Sequence, residues 1–194
     1  MNLTEMRARV REDLQDEDAA NYRWTNDQVD GAIQRVVMEF SIVKPIQQQD
    51  DIATTESSRD IDISSLSGLI GVESVEFPIG ENPTYYQKFR IWQDTIQMTD
   101  EGDGSDARVR WYKEHTLDAE SSTIPTQFEE IIVLGATGYL ATSASVYTVD
   151  RATIAGRHAT ANFLKWGQAR LDRYEKKLKA LKSRIISREF YVDS

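Results

Sequence analysis

The stretch WTNDQVDGAIQRVVMEFSIVKPIQQQD, residues 24–50, decides the fold, because within it the spacing of apolar residues changes from helical to extended. Thr25 is placed to cap the backbone N–H of Gln28, and the Gln28 side chain can reach back to Thr25. Trp24 and Val29 then occupy the two positions of a hydrophobic staple. A cap of this kind contributes about 1 kcal/mol. Val29, Ile33, Val36, Val37, Phe40 and Val43 carry the apolar stripe onward until Lys44–Pro45 stops the helix.

Upstream, Leu3, Met6, Val10 and Leu14 repeat at helical spacing behind a capping box of Asn2 and Glu5, and the acidic stretch Gln15–Asp18 breaks the helix. Downstream, from Ile46 to about His115, the period becomes two. Ile61 and Ile63 alternate with Asp60 and Asp62, and Val75 and Phe77 with Ser74 and Glu76. Gln87, Phe89 and Ile91 share one face, with Lys88, Arg90 and Trp92 on the other. Ile96/Met98 and Val109/Trp111, joined by residues 100–106, predict a β-hairpin with a glycine-containing loop, and residues 78–83 predict a second connector.

Helix resumes at Pro125, with Thr126 and Glu129 spaced for a third capping box. Residues 128–146 are rich in small side chains (Gly135, Ala136, Gly138, Ala141, Ala144), which suits a central helix approached closely by its neighbours. Asp150 is placed to cap a last helix running to about Ile186. Leu164, Leu171, Leu178 and Ile185 recur every seven residues with Tyr174 and Leu181 between them, a seam for the chain's own helices or a neighbouring subunit. The expected fold is α+β: a helical bundle built from residues 1–45 and 124–194, with residues 46–123 inserted as a small antiparallel β subdomain.

The 194 residues contain no cysteine, which excludes disulfides, zinc–thiolate sites and thiol nucleophiles. The opening Met1–Glu5 has no apolar leader, and no apolar run approaches the ~18 residues of a membrane span, so a cytoplasmic chain with no membrane partner is expected. The net charge of −9 is uneven. Residues 161–194 hold nine Lys/Arg and four Asp/Glu, a net of +5, which leaves −14 on residues 1–160. Such a body repels nucleic acid over most of its surface, while the basic end suits an acidic partner or a solvated helix face.

No enzyme is expected, and no cofactor or metal. His115 and His158 lack a second ligand at helical spacing and are expected to be surface or packing residues. Asp100, Asp103 and Asp106 are spaced by three between strands, unlike a calcium loop, and suit a solvated hairpin tip better. Gly102 and Gly104 begin a nucleotide-type glycine pattern that Ala107 breaks, and no P-loop is present. Trp24 and Trp111 lie on apolar faces and are expected in the core; Trp92, Tyr112 and Trp166 are expected to face outward, as at a protein interface.

Leu3-Thr-Glu-Met-Arg-Ala-Arg-Val-Arg-Glu-Asp-Leu followed by Tyr22-Arg-Trp-Thr-Asn-Asp-Gln-Val-Asp-Gly-Ala-Ile resembles the opening of the head–tail connector (adaptor) proteins of tailed bacteriophages. Val109-Arg-Trp-Tyr-Lys-Glu-His-Thr-Leu, then Ile124-Pro and Glu129-Glu-Ile-Ile-Val-Leu-Gly-Ala, is similar to the same family. These stretches are packing patterns and carry no chemical signature. The resemblance implies a structural virion protein at the head–tail junction, assembled in the host cytoplasm as a homo-oligomeric ring of about a dozen copies. It implies docking on the portal protein, a tail or stopper protein below, and DNA passing through the channel without specific binding. Portal docking would fall to Lys182, Arg184, Ile185, Ile186, Arg188, Phe190 and Tyr191, and subunit contacts to Leu164, Leu171, Tyr174, Leu178, Trp92 and Trp166. The alternatives are another junction component, such as a stopper or tail-completion protein, or a nucleic-acid-binding module using the basic C-terminal helix.

Overall fold

Asn2 and Thr25 each accept from the backbone N–H three residues on, and Glu5 and Gln28 return the bond, so both expected capping boxes open helices. A computed structural model describes the backbone of residues 1–149 and 156–181, and the side chains of 1–143 and 162–181. The protein is a mixture of helix and antiparallel sheet. α1 (Leu3–Leu14) and α2 (Asn26–Val43) are followed by strands β1 (Ile46–Ala53), β2 (Asp60–Asp62), β3 (Leu69–Glu76), β4 (Tyr86–Gln87), β5 (Phe89–Trp92), β6 (Thr95–Met98) and β7 (Asp106–Lys113). A 3-10 turn at Thr126–Phe128 leads into α3 (Glu129–Val149), and α4 is Gly156–Leu181. Asp150 lies outside the described residues, as does the helix expected from Lys182 to Ile186. Among the described residues the chain divides into two compact units: Met1–Lys44 with residues 115–181, and Pro45–Glu114.

In the helical unit the α2 stripe is buried as the periodicity predicts: Val29, Ile33, Val36, Val37 and Phe40 join Met6 and Val10 of α1 and Ile132, Val133 and Ala136 of α3 in one core. The small residues of α3 admit close neighbours. A Cβ on Gly135 would lie 2.9 Å from Val36, and one on Gly138 would lie 2.8 Å from Leu171 of α4. Gly167 of α4 meets Ala141 in the same way, so the α3–α4 crossing is tight from both sides.

Two features differ from expectation. Thr126 lies inside the 3-10 turn and makes no cap; Pro125 precedes the turn without a side-chain cap, and the Glu129 carboxylate instead accepts from the amino group of Met1. Residues 115–124 pack with the helices. His115 is buried, with its backbone N–H on Ser41 Oγ (2.9 Å) and its ring nitrogens 3.0 Å from Thr123 O and 2.9 Å from Lys44 O. It is a packing residue.

The β unit has two sheets, ordered β1-β7-β3-β4 and β2-β6-β5, all neighbours antiparallel. They share one core: Val72, Val75, Val109 and Trp111 from the first, Ile61, Phe89, Ile96 and Met98 from the second. The alternations at 60–63 and 87–92 hold: Ile61, Ile63, Gln87, Phe89 and Ile91 turn inward, and Asp60, Asp62, Lys88, Arg90 and Trp92 turn outward. The hairpin expected between Ile96/Met98 and Val109/Trp111 does not form, because β6 pairs with β2 and β5 while β7 pairs with β1 and β3. Period-two alternation turns the same residues inward whether two strands pair in one sheet or face each other across two. The loop between them is held elsewhere: Gly102 N donates to Ser58 O (2.7 Å) and Ser57 N to Gly102 O (2.9 Å). Tyr112 is buried, contrary to expectation, because β7 is an inner strand whose outer face is lined by its neighbours on β1 and β3.

Candidate interaction surface

α2 buries one stripe and leaves a second apolar pair outside. Met38 and Ile42, one turn apart, are 63% and 62% exposed. They lie off the core stripe and, four residues apart, are neighbours on the solvent face of α2. Trp92, at the end of β5, is 78% exposed, the largest apolar side chain left to solvent among the described residues. Its neighbour Gln93 turns the chain with φ 51° into β6, so the indole is carried on a tight β5–β6 turn. Tyr85, in the loop before β4, is also exposed.

Beside α2 runs an open groove of about 570 Å³, lined by residues that include Trp24, Gln28, Ala32, Arg35, Tyr139 and Leu140. Two of its lining residues, Arg35 and Tyr139, belong to a hydrogen-bond network centred on Glu39. Glu39 accepts from Tyr139 Oη (2.9 and 3.0 Å), from Tyr174 Oη (3.0 Å) and from Arg35 Nε (3.1 Å), and Arg35 lies 3.9 Å over the Tyr139 ring. Burial, and then the Glu39 charge, push both phenols above their ordinary pKa, so both remain donors at neutral pH. One carboxylate thereby joins α2, α3 and α4. This is a structural tie between three helices.

Among the described residues no three of His, Asp and Glu come together as a metal site. In the acidic loop, Asp100 accepts from the Gln87 side chain (2.8 Å), Asp103 accepts from Ser105 N and Oγ (2.9 and 2.6 Å), and Asp106 begins β7. The Ser105 bonds hold the Asp103 carboxyl below its ordinary pKa.

The residues proposed for subunit contact are placed unevenly. Tyr174 is corrected: it is 1% exposed and belongs to the core of its own chain, tied to Glu39. Leu171 packs on Gly138, and Leu178 and Leu181 pack on the same core, so the seam from Leu171 to Leu181 packs within the chain; Ile185 lies outside the described residues. Helix length and spacing alone do not distinguish a partner helix in the same chain from one in another. Leu164 is half-buried. Trp166, expected outward, is half-buried and stacks on Phe163 (5.6 Å), which stacks on Trp24 (6.2 Å). Trp92 alone of the six is strongly exposed. Lys182, Arg184, Ile185, Ile186, Arg188, Phe190 and Tyr191 lie outside the described residues. The sequence reading missed Met38 and Ile42, although their position off the Val29–Phe40 stripe was a signal for them.

The outer face of α4 is charged: Arg173, Lys176, Lys177 and Lys179 are exposed, interleaved with Asp172 and Glu175. Among the described residues no helix is long and apolar enough to cross a membrane. No protein-family model matches the chain, and no curated protein matches it.

Proposed function

We propose that this chain is the adaptor that forms a ring between the portal and the tail of a tailed bacteriophage, around the channel through which DNA passes. The observation that carries the reading is the resemblance of residues 3–14, 22–33, 109–117, and 124–125 with 129–136, to head–tail connectors. Its support is that these four stretches coincide with elements: α1, the capped start of α2, β7 with the turn after it, and the start of α3. We infer with it that the helical unit is the bundle of the adaptor and that the β unit is its inserted subdomain.

A cyclic ring needs two different patches on each subunit. Met38 and Ile42 supply one apolar patch and Trp92 another, and aromatic and methionine side chains are the types enriched at interface cores. The net charge of −14 on residues 1–160 suits a channel along which DNA slides without adhering. The function is structural, with affinity spread over subunit and portal contacts and no reaction or cofactor.

Deletion of residues 183–194 tests the docking assignment, since that segment joins basic charge to Ile185, Ile186, Phe190 and Tyr191. The truncated chain is expected to keep its far-ultraviolet circular dichroism and lose attachment to the portal. Unchanged portal affinity would remove the assignment.

The exposed lysines of α4 favour one rival, a nucleic-acid-binding module. That reading requires duplex affinity that falls steeply with salt, with a slope of about −0.9 for each phosphate neutralised. A stopper or tail-completion role is the other alternative, and it would place the chain at a different level of the junction.

A further inference from the structure

β1 is an edge strand, paired with β7 on one side and, among the described residues, with no strand on the other. It has eight residues, where the other three edge strands, β2, β4 and β5, have three, two and four. Natural edges are guarded by shortness, bulges, proline or charge, and the only charges on β1 are Asp50 and Asp51. β1 keeps register with β7 over its whole length without a bulge and contains neither Lys nor Pro. Its carboxylates are already engaged on the β7 side. Asp51 forms a two-pronged pair with Arg108 (2.8 and 3.0 Å), and Asp50 accepts from the Trp111 indole (2.6 Å).

The direction of the free peptide groups follows from one bond. Thr54 N donates to Ser105 O (2.9 Å), continuing the β1–β7 register by one pair. Successive residues of a strand turn their peptide groups to opposite sides. The even-numbered residues of β1 therefore bond to β7, and Gln47, Gln49 and Asp51 aim N–H and C=O at the open edge. Ile52 packs against the β core, so the even-numbered side chains share the core face.

We propose that β1 pairs antiparallel with β1 of a second copy of this chain, in the register centred on Gln49. A two-fold axis there sets Gln49 opposite itself, Gln47 opposite Asp51, Gln48 opposite Asp50 and Ile46 opposite Ile52. Odd meets odd, so the outward groups exchange two bonds in each of three pairs, about six in all. Every carboxylate meets an amide, and isoleucine meets isoleucine on the core face. Neighbouring registers lose this match. Centring on Asp50 puts two carboxylates face to face, which destabilises a cross-strand pair. Centring on Gln48 sets Ile46 opposite Asp50 and Asp51 opposite Pro45. The contact is isologous and closes at two copies, so it belongs to the free chain and does not rest on the adaptor reading.

The test is sedimentation velocity on the full chain over a wide concentration range, with variants. The wild-type chain is expected to form a dimer that dissociates on dilution. Gln49→Pro removes an N–H that faces outward, a position where an edge strand tolerates proline, so it should keep its circular dichroism and sediment as a monomer. The chain has no cysteine of its own. Gln49→Cys brings two thiols together on strands whose Cα atoms are about 5.5 Å apart, within disulfide reach, and should give a covalent dimer on mild oxidation. Gln47→Cys leaves its two thiols more than about 13 Å apart and should not. A wild-type chain that is monomeric at every concentration would overturn the proposal and leave the edge to a strand of another protein. So would a dimer that persists in Gln49→Pro, or equal cross-linking of the two cysteine variants.

Discussion

Arg11→Ala should be among the most damaging single substitutions in the helical unit. Arg11 is 4% exposed, and its guanidinium donates to Asp16 Oδ2 (2.6 Å), Trp24 O (2.9 Å) and Asn26 Oδ1 (2.9 Å). Its carbon lies 3.6 Å over the Tyr22 ring. Asp16 is equally buried and holds Arg23 N at 2.7 Å, so the pair pins the connector between α1 and α2 at both ends. Alanine at 11 leaves a buried carboxylate without its counter-charge and a buried carbonyl without its donor. Breaking a buried pair at one end costs about 3–5 kcal/mol. Against a total of about 5–15 kcal/mol, that is a large fraction of the stability. Removing both partners should cost less than the sum of the two single changes, with a coupling of about 0.5–3 kcal/mol. Arg11→Lys should fall between, because an ammonium cannot span three acceptors as the planar fork does. Urea unfolding followed by circular dichroism measures all four, with m unchanged if the denatured states are alike. A loss below about 1 kcal/mol for Arg11→Ala, or strict additivity with Asp16→Ala, would refute the reasoning.

The remaining predictions concern pH and the exposed surface. Tyr174 has its pKa raised in the folded chain by burial and by Glu39, so its contribution is complete below the ordinary value of 10.0 and is lost as the pH rises above it. Tyr174→Phe should flatten that alkaline loss in pH-dependent urea melts and remove one bond to a charged acceptor, about 1.5–3 kcal/mol at neutral pH. Asp118 behaves with the opposite sign: bonds from Glu120 N, Ser121 N and Ser121 Oγ lower its pKa. Its contribution is therefore present above the ordinary 3.8 and lost as the pH falls below it, and Asp118→Asn should remove that part of the acid dependence. Trp92→Ala should change stability by no more than about 0.5 kcal/mol, because the side chain is exposed, yet weaken the proposed ring as read by native mass spectrometry.

Where local rules operate, the sequence was a good guide. Asn2, Glu5, Thr25 and Gln28 lie within one turn of their partners, so both capping boxes could be read from spacing, and so could the Val29–Phe40 stripe. Thr126 and Glu129 had the same spacing but lost to a longer-range bond, the Met1 amine taking the Glu129 carboxylate. Strand faces were legible and strand partners were not, since alternation at Ile96/Met98 and Val109/Trp111 fits pairing and stacking alike. The seam at Leu171, Tyr174 and Leu178 showed the same ambiguity between chains, and Gly135 and Gly138 decide it by admitting α4 against α3. Arg11 and Asp16 gave no signal, because a charged residue on a predicted helix reads as solvated until its burial is known.

The proposed adaptor ring is tested most directly by the copy number of this chain in purified phage particles, measured by quantitative mass spectrometry beside the portal protein. An adaptor ring predicts a number equal to that of the portal, about a dozen per particle. Absence from the particle would contradict it.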